Sequence, residues 1–314
     1  MEKNKKMSDG YILSYVNPDT DGICSSLALE KLYNCRKKGE YRTVLAGRLS
    51  DETQYVLKEA GINPERFADK YDDNRPVLLV DTHNLKQLPH LTKTENVIEI
   101  WDHHPDGDES DYANANFRNY EIGAIASKIL DELWKEDALD RGLAILLGSA
   151  ILSNTINFTA PASTQYDRDM FLRAQKLFPF SDRYVNGLFR SKDAILEADL
   201  RDILLRDLKR FEINGRKCLI SQLELFSAKD FLADNRVAPE LFFLKEAENA
   251  DFFVLNVIDI QRRKSYLFCG DKASQRIVEE IFGRTFDADC MEFDRILLRK
   301  TDLTPGMAKV LCDE

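Results

Sequence analysis

Acidic residues and histidines form three short groups in the first third of the chain. Carboxylate oxygens and imidazole nitrogens are ligands for hard to borderline divalent cations such as Mn²⁺, Mg²⁺ and Co²⁺. Two acids at positions i and i+2 of a loop can point at different cations, and a single acid between them can bridge both. Two cations about 3.5–4 Å apart can clamp a phosphoryl group and activate a water molecule. The three groups are Asp19-Thr20-Asp21, Asp81 and Asp102-His103-His104.

Each group alone also has an ordinary structural explanation. The NPDTDG segment that holds Asp19 and Asp21 is a good turn and helix-capping sequence, and an acid after a strand is often only a helix cap. The histidines strengthen the combination, because all four of them fall within one 22-residue stretch. We interpret His103 and His104, beside a strand end, as functional. We interpret His83 and His90 as solvent-facing or structural.

Short apolar runs precede each group and predict the strands that position it. Helical patterns follow, one from Ile23 to about Lys37 and one from Ser50 or Asp51 to Gly61. Strands that alternate with helices predict an α/β fold with a mostly parallel sheet and helices on both faces. Such sheets bind ligands at the carboxyl ends of their strands, where the three groups fall. The predicted strands are Tyr11–Val16, a run near Tyr41, Val77–Val80 and Val97–Trp101.

The remaining sequence indicates a second, smaller α/β domain. Residues 123–176 are helical in pattern, and apolar density drops and charge rises before residue 196. We therefore predict a metal-binding catalytic domain over 1–187, a hinge linker over 188–195 and a substrate-binding domain over 196–314. After a helix that ends near Lys209, the second domain has predicted helices over 239–249 and 273–282. Its predicted strands are KCLISQL, DFFVLNVI, SYLFCG and DRILLRK.

Composition narrows the classes of function. The chain has 314 residues, a length that suits two domains. Its formal net charge of -10 disfavours long nucleic acid as a partner. It has neither an apolar run of 18 residues nor a signal peptide, so no membrane contact and a cytoplasmic location are expected. The six cysteines include no CxxC pair, so we interpret them as small buried hydrophobic residues.

Several motifs in order resemble the DHH phosphoesterase superfamily. In the first half they are NPDTDGICSSLAL, the VD at Val80–Asp81, the DHH at Asp102–His104 and AILSNTINFTAPASTQYD. The pattern is most similar to family II, manganese-dependent inorganic pyrophosphatases, together with prune-like exopolyphosphatases. In the second half, RDLKRFEINGRKCLISQLEL and LLRKTDLTPGMAKVL resemble the DHH-associated substrate domain. The resemblance covers nearly the whole chain.

The resemblance implies a role for each motif residue in the first domain. Asp19 would bind the first metal ion, and Asp81 would bridge both ions. Asp21 and His103 would bind the second ion together with Asn154, which stands in the family's fourth motif.

The resemblance also implies how the substrate is held. His104 would hydrogen-bond the phosphate near the bond being broken, so that Asp81 and His104 are the expected catalytic residues. In the second domain, Lys209, Arg299 and Lys300 would hold the phosphates as the domains close. The implied cofactor is a pair of Mn²⁺ ions, or Mg²⁺ or Co²⁺, and the implied substrate is a small phosphate anion. Pyrophosphate is expected first and short polyphosphate next, and a homo-oligomer is left open.

Two positions depart from the family pattern. Tyr15 stands where the pyrophosphatases carry a metal-binding His, and the fourth motif reads Ser153-Asn154-Thr155 where they have Ser-Asp-Thr. Both changes predict weaker metal binding. The alternative is therefore a degenerate, non-catalytic member that binds a phosphorylated ligand or a protein partner. A DHH nuclease is disfavoured, because glycine is sparse after residue 215 and no histidine follows His104.

Overall fold

The computed structural model describes most of the chain, as two compact units. The first unit comprises residues 1–158 and 162–188, and the second comprises residues 159–161 and 189–314. Among the described residues, no helix is both long and apolar enough to cross a membrane. The described residues are 9–36, 39–67, 71–72, 74–90, 92–105 and 107–312.

Strands and helices alternate up to residue 80, as the sequence predicts, and the last three strands of the first unit then follow one another with 3₁₀ turns between them. The strands are β1 Gly10–Leu13, β2 Tyr41–Thr43, β3 Val77–Val80, β4 Val97–Asp102 and β5 Asn116–Asn119. The helices up to residue 190 are α1 Thr20–Cys35, α2 Asp51–Glu59, α3 Ile125–Lys135, α4 Arg141–Asn154, α5 Gln165–Gln175 and α6 Asp182–Arg190.

The five strands of the first unit form one parallel sheet in the order β2-β1-β3-β4-β5. This confirms the predicted α/β class. The chain leaves β1 for β2 on one side and returns to β3 on the other, so the strand order reverses between β1 and β3. Ligands of open α/β sheets bind at such a reversal, beside the carboxyl ends of the strands. Asp19 follows β1 and Asp81 follows β3, so both lie beside this point.

Apolar burial explains why these segments form the central strands. All four residues of β3, Val-Leu-Leu-Val, are buried, which is typical of a parallel strand covered on both faces. On one face, Val77 and Leu79 pack with Leu13 and Ile100. Helix α1 contacts β1 and β3 and also packs against α3 and α4. Helix α4 is buried from Leu143 to Ser153, which agrees with a sequence that is apolar on every side.

The second unit carries a five-stranded mixed sheet in the order β10-β9-β8-β7-β6. Strands β7 and β8 pair in parallel, and the other three pairs are antiparallel. The strands are β6 Leu208–Ile213, β7 Arg216–Leu225, β8 Phe252–Asp259, β9 Lys264–Cys269 and β10 Cys290–Phe293. The helices are α7 Leu200–Arg206, α8 Lys229–Leu232, α9 Val237–Ala247, α10 Lys272–Phe282 and α11 Thr304–Cys312.

Two local predictions for the second unit were wrong. Lys209 lies on β6 rather than at the end of a helix, because α7 already ends at Arg206. The DRILLRK segment is not a strand, since β10 ends before it and Arg299–Leu303 forms a π-helical turn. The carboxylate of Asp302 accepts a hydrogen bond from the backbone N–H of Leu298 (2.9 Å) and so closes this turn.

The predicted hinge segment is helical in the structure. Helix α6 continues to Arg190, and a 3₁₀ helix follows over Ser191–Glu197. The boundaries of the hinge stay a prediction.

Two glycines of α4 provide a test of its packing. A Cβ at Gly148 would lie 2.3 Å from Cζ of Phe180, whereas one at Gly142 would meet only Oδ1 of Asp140, at 3.4 Å. Alanine favours a helix interior by about 1 kcal/mol over glycine, but overpacking a core costs about 1–3 kcal/mol. We expect Gly148→Ala to lower the free energy of unfolding and Gly142→Ala to leave it unchanged or raise it. Urea denaturation checks both, and a stabilised Gly148→Ala protein would contradict the packing.

Candidate metal centre

Asp19 ends the loop after β1 and begins α1. Its Oδ1 accepts a hydrogen bond from the backbone N–H of Gly22 (3.0 Å), so Asp19 is the helix N-cap. Its own backbone N–H donates to the hydroxyl oxygen of Tyr15 (3.1 Å). Burial, followed by the charges of Asp19 and Asp81, raises the pKa of Tyr15 well above its usual value. Tyr15 therefore places a neutral phenol beside both carboxylates.

Asp21 is 1% exposed and caps a second helix. Its carboxylate accepts hydrogen bonds from the backbone N–H groups of Ile125 (2.8 Å) and Ala126 (3.0 Å) at the start of α3. The N-cap residue of α3, Ala124, has no side chain that could do this. Burial, and next the charge of Asp81, raises the pKa of Asp21 well above its usual value. A nearby cation would offset both effects.

Asp81 directly follows β3 in a strained backbone conformation. Its φ of 62° lies in the left-handed region, which non-glycine residues adopt rarely and at a cost. The backbone N–H of Asp81 still donates to the carbonyl of Trp101 on β4 (2.8 Å), which continues the sheet pairing. Its side chain is 1% exposed. The backbone turn thus places a carboxylate at the carboxyl-terminal end of the central strand. Backbone strain of this kind is common in functional sites.

His103 turns one nitrogen toward the acids. Its Nδ1 lies 2.9 Å from the carbonyl of Ile122, and since a carbonyl only accepts, Nδ1 carries the proton. Nε2 then faces Oδ1 of Asp81 at 3.1 Å, with Oδ2 of Asp21 at 3.9 Å. Two acceptors at this distance repel each other unless a cation or proton lies between them. Metal-binding histidines are commonly held through their other nitrogen in this way.

Asp102, the first residue of the DHH motif, orients the two histidines that follow. It is fully buried and accepts hydrogen bonds from the backbone N–H of His103 (2.7 Å) and from Nδ1 of His104 (2.8 Å). Burial alone would raise the pKa of Asp102, but the hydrogen bonds from His104 and His83 outweigh it and hold the pKa well below its usual range. Asp102 therefore holds His103 and His104 in place through hydrogen bonds.

Of the two roles predicted for His83, solvent-facing or structural, the structure supports the structural one. His83 is 3% exposed, and its Nδ1 contacts the carboxylate of Asp102. This places it in the structural role that the sequence left open, while His90 is exposed. No signal in the sequence distinguished the two histidines, because their difference arises from the pairing of distant segments.

Asn154 ends α4 inside the centre. Its Nδ2 lies 2.9 Å from the carbonyl of Gly123, 3.3 Å from Oδ2 of Asp21 and 3.2 Å from Nε2 of His103. The chain then turns sharply, with φ values of 48°, 51° and 61° over residues 156–158. Consecutive left-handed residues are unusual, since each costs about 1–2 kcal/mol. The fold holds Asn154 against Asp21 and His103 despite this strain.

Glu52 is a buried carboxylate that the sequence analysis missed. It lies on α2, is 4% exposed, and accepts hydrogen bonds from the hydroxyls of Thr20 (2.9 Å) and Ser153 (2.7 Å). Thr20 stands between Asp19 and Asp21, and Ser153 precedes Asn154. Glu52 therefore ties the start of α1 to the end of α4. Its position within the DETQYVLKE segment carries no signal of this role.

The first-unit residues fit a divalent cation. Ligand atoms of Asp81, His103 and His104 lie within 4.8 Å of one another, and Asp21 contacts the same group through His103. Carboxylates buried side by side are unfavourable unless charge compensates them. Oxygen and imidazole nitrogen donors suit Mn²⁺. Five of the residues predicted from the sequence thus come together: Asp21, Asp81, His103, His104 and Asn154. Asp19 lies beside them, because the Tyr15 hydroxyl that accepts its backbone hydrogen bond is also close to the charge of Asp81.

The cationic residues of the second unit form their own group. The guanidinium of Arg299 is buried, pairs with the carboxylate of Asp207 (3.0 Å) and donates to the carbonyl of the same residue (2.7 Å). Lys209 lies two residues further along, on β6, and is half-buried, while Lys300 is exposed. Arg299 is thus fixed against the start of β6.

The parallel sheet of the first unit thus gathers aspartates and histidines at its strand-order reversal, and a mixed α/β unit follows it in the chain. Residues 10–151 match the model of the DHH family, N-terminal domain, and residues 186–310 match that of the DHHA2 domain. The chain therefore carries a DHH domain followed by a DHHA2 domain.

Relatives match along nearly the whole chain. A manganese-dependent inorganic pyrophosphatase from Methanothrix thermoacetophila is 28% identical over 303 residues, covering 95% of this chain and 96% of the relative. One from Methanocaldococcus jannaschii is 25% identical, covering 95% and 98%. A crystal structure of a candidate family II inorganic pyrophosphatase from Methanococcus jannaschii superposes with a TM-score of 0.77 at 22% identity, covering 96% and 99%. The last similarity supports the fold.

Asp102→Asn tests the supporting carboxylate. Because the folded-state pKa of Asp102 is depressed, its charge stabilises the folded protein above the unfolded-state pKa of about 4, and this contribution is lost as the pH falls below that value. We expect the variant to be less stable at pH 7 by about 1–3 kcal/mol. Urea unfolding of chelator-treated protein should show the difference shrinking below about pH 4. A difference that does not change with pH would contradict the assignment.

Proposed function

We propose that this protein is a divalent-metal-dependent phosphoanhydride hydrolase whose substrate is pyrophosphate or a short polyphosphate. The observation that carries the proposal is the convergence of Asp81, His103 and His104 within ligand distance of one another, with buried Asp21 beside them. The names of the relatives support manganese as the metal and pyrophosphate as the first substrate to test.

In this proposal the aspartates and His103 hold two ions per chain. Asp19 and Asp81 would hold one ion, and Asp21, His103 and the same Asp81 would hold the other, with Asn154 next to the second. When bound, the ions supply Lewis acidity toward the phosphoryl oxygens and lower the pKa of a water nucleophile.

Other residues of the chain bind and orient the substrate. His104, held through Nδ1 by Asp102, directs its Nε2 side to the phosphate near the bond being broken. Lys209, Arg299 and Lys300 bind phosphate oxygens. Arg offers a planar fork for two oxygens and Lys a mobile point charge. Both terminal nitrogens of Arg299 contact Asp207, so phosphate binding by Arg299 requires that substrate displace Asp207 from this fork.

A non-catalytic function has one specific observation in its favour. Tyr15 and Asn154 place neutral hydrogen-bonding groups beside Asp19 and Asp21, where the resemblance implies metal ligands. A protein with this centre would bind a phosphorylated ligand without cleaving it. Binding of pyrophosphate without release of phosphate would favour this function.

The proposal is tested by phosphate release from pyrophosphate and from tripolyphosphate. Metal-stripped protein supplied with Mn²⁺, Mg²⁺ or Co²⁺ should release phosphate only with metal, and Asp81→Asn should abolish release because both ions lose a shared ligand. Unchanged release by Asp81→Asn, or none from the parent protein with any metal, would contradict the proposal.

Lys300 provides a test of substrate binding. We expect Lys300→Ala to raise the KM for pyrophosphate roughly tenfold, since a charged hydrogen bond contributes about 1.5–3 kcal/mol. Lys309 on α11 is also exposed, so Lys309→Ala is the matched control and should leave KM unchanged. Equal effects of the two variants would show that Lys300 contributes only to overall charge.

A further inference from the structure

The side-chain amide of Asn154 points its amino group, not its carbonyl, into the centre. Nδ2 lies within hydrogen-bond distance of the carbonyl of Gly123, Oδ2 of Asp21 and Nε2 of His103. An asparagine that replaces an acidic metal ligand could coordinate a cation through Oδ1. Here Nδ2 has taken that position.

The neighbouring groups fix this orientation. The carbonyl of Gly123 only accepts hydrogen bonds, and so does the ionised carboxylate of Asp21. Nε2 of His103 is a third polar neighbour, 3.2 Å from Nδ2. The two acceptors therefore take the two protons of the NH₂ group. Turning the amide by 180° would bring Oδ1 against both of them, which is unfavourable without a cation.

The amino group thereby supplies part of the positive charge that a cation would otherwise supply to these acceptors. Asp21 and His103 are the two residues that the proposed function assigns to the second ion together with Asp81. An amide N–H carries partial positive charge, and its hydrogen bonds compensate the lone pairs that converge there. An ion entering between Asp21 and His103 must break these hydrogen bonds.

We propose that Asn154 is a built-in neutral substitute for the second metal ion. This inference rests on the proposed function, and it adds that the two ions bind unequally. An ion next to Asn154 would bind only when the amide turns or moves away, because the hydrogen bonds of Nδ2 to Asp21 and Gly123 compete with it. Removing the amide should therefore strengthen metal binding, although it removes a residue from a ligand position.

Direct titration with Mn²⁺ tests this without substrate. The parent protein, Asn154→Ala and Asn154→Asp are titrated by calorimetry, with free Mn²⁺ counted by electron paramagnetic resonance. The alanine leaves room for water and removes the competing hydrogen bonds, so we expect the weaker ion to bind roughly tenfold more tightly than in the parent protein, the equivalent of one to two lost hydrogen bonds. The aspartate adds a charge and should bind it more tightly still.

Asn235, an exposed turn residue of the second unit, provides matched controls. Asn235→Ala and Asn235→Asp should leave Mn²⁺ binding unchanged. If Asn154→Ala does not fold, as judged by circular dichroism, Asn154→Ser gives the same comparison with a smaller polar side chain.

Three outcomes would overturn the inference. The first is weaker Mn²⁺ binding in a folded alanine or serine variant, which would make Oδ1 a ligand. The second is two ions of equal affinity in the parent protein, and the third is no Mn²⁺ binding in any variant. The last would also overturn the proposed function. Tighter binding in Asn154→Ala without any phosphate release would support this inference while the proposed hydrolysis fails.

Discussion

Several carboxylates are buried within a few ångströms of each other at one edge of a parallel sheet, and the rest of the first unit is arranged around their negative charge. Asp21, Asp81 and Asp102 are each 1% exposed or less. Like charges in a low-dielectric interior are strongly unfavourable unless hydrogen bonds or cations compensate them. The fold compensates Asp102 with histidines and Asp21 with the start of α3, and the proposed function places a cation beside Asp81 and His103.

The same constraint explains the irregular backbone around the centre. Asp81 adopts a left-handed conformation at the end of β3, and three such residues follow Asn154. Strained conformations persist where the surrounding structure determines them. Here buried contacts of Glu52 with Thr20 and Ser153 hold the segments that carry Asp21 and Asn154 together.

Much of the fold could be predicted, because β1, β3 and β4 are short apolar runs ending in polar residues. The polar edge strand β5, with the sequence NFRN, gave no such signal. Motif order located the acids and histidines of the centre, but it could not show which atoms face one another. The burial of His83, the role of Glu52 and the direction of the Asn154 amide all depend on contacts between segments far apart in sequence.

Anomalous X-ray diffraction at the manganese edge, from crystals grown with Mn²⁺, tests the central claim most directly. The account predicts an anomalous peak within coordination distance of the carboxylates of both Asp81 and Asp19. A second peak of lower occupancy should lie near Asp21 and His103 and should strengthen in Asn154→Asp crystals. Peaks only at exposed carboxylates elsewhere, or none beside Asp81, would contradict a metal centre at this edge of the sheet.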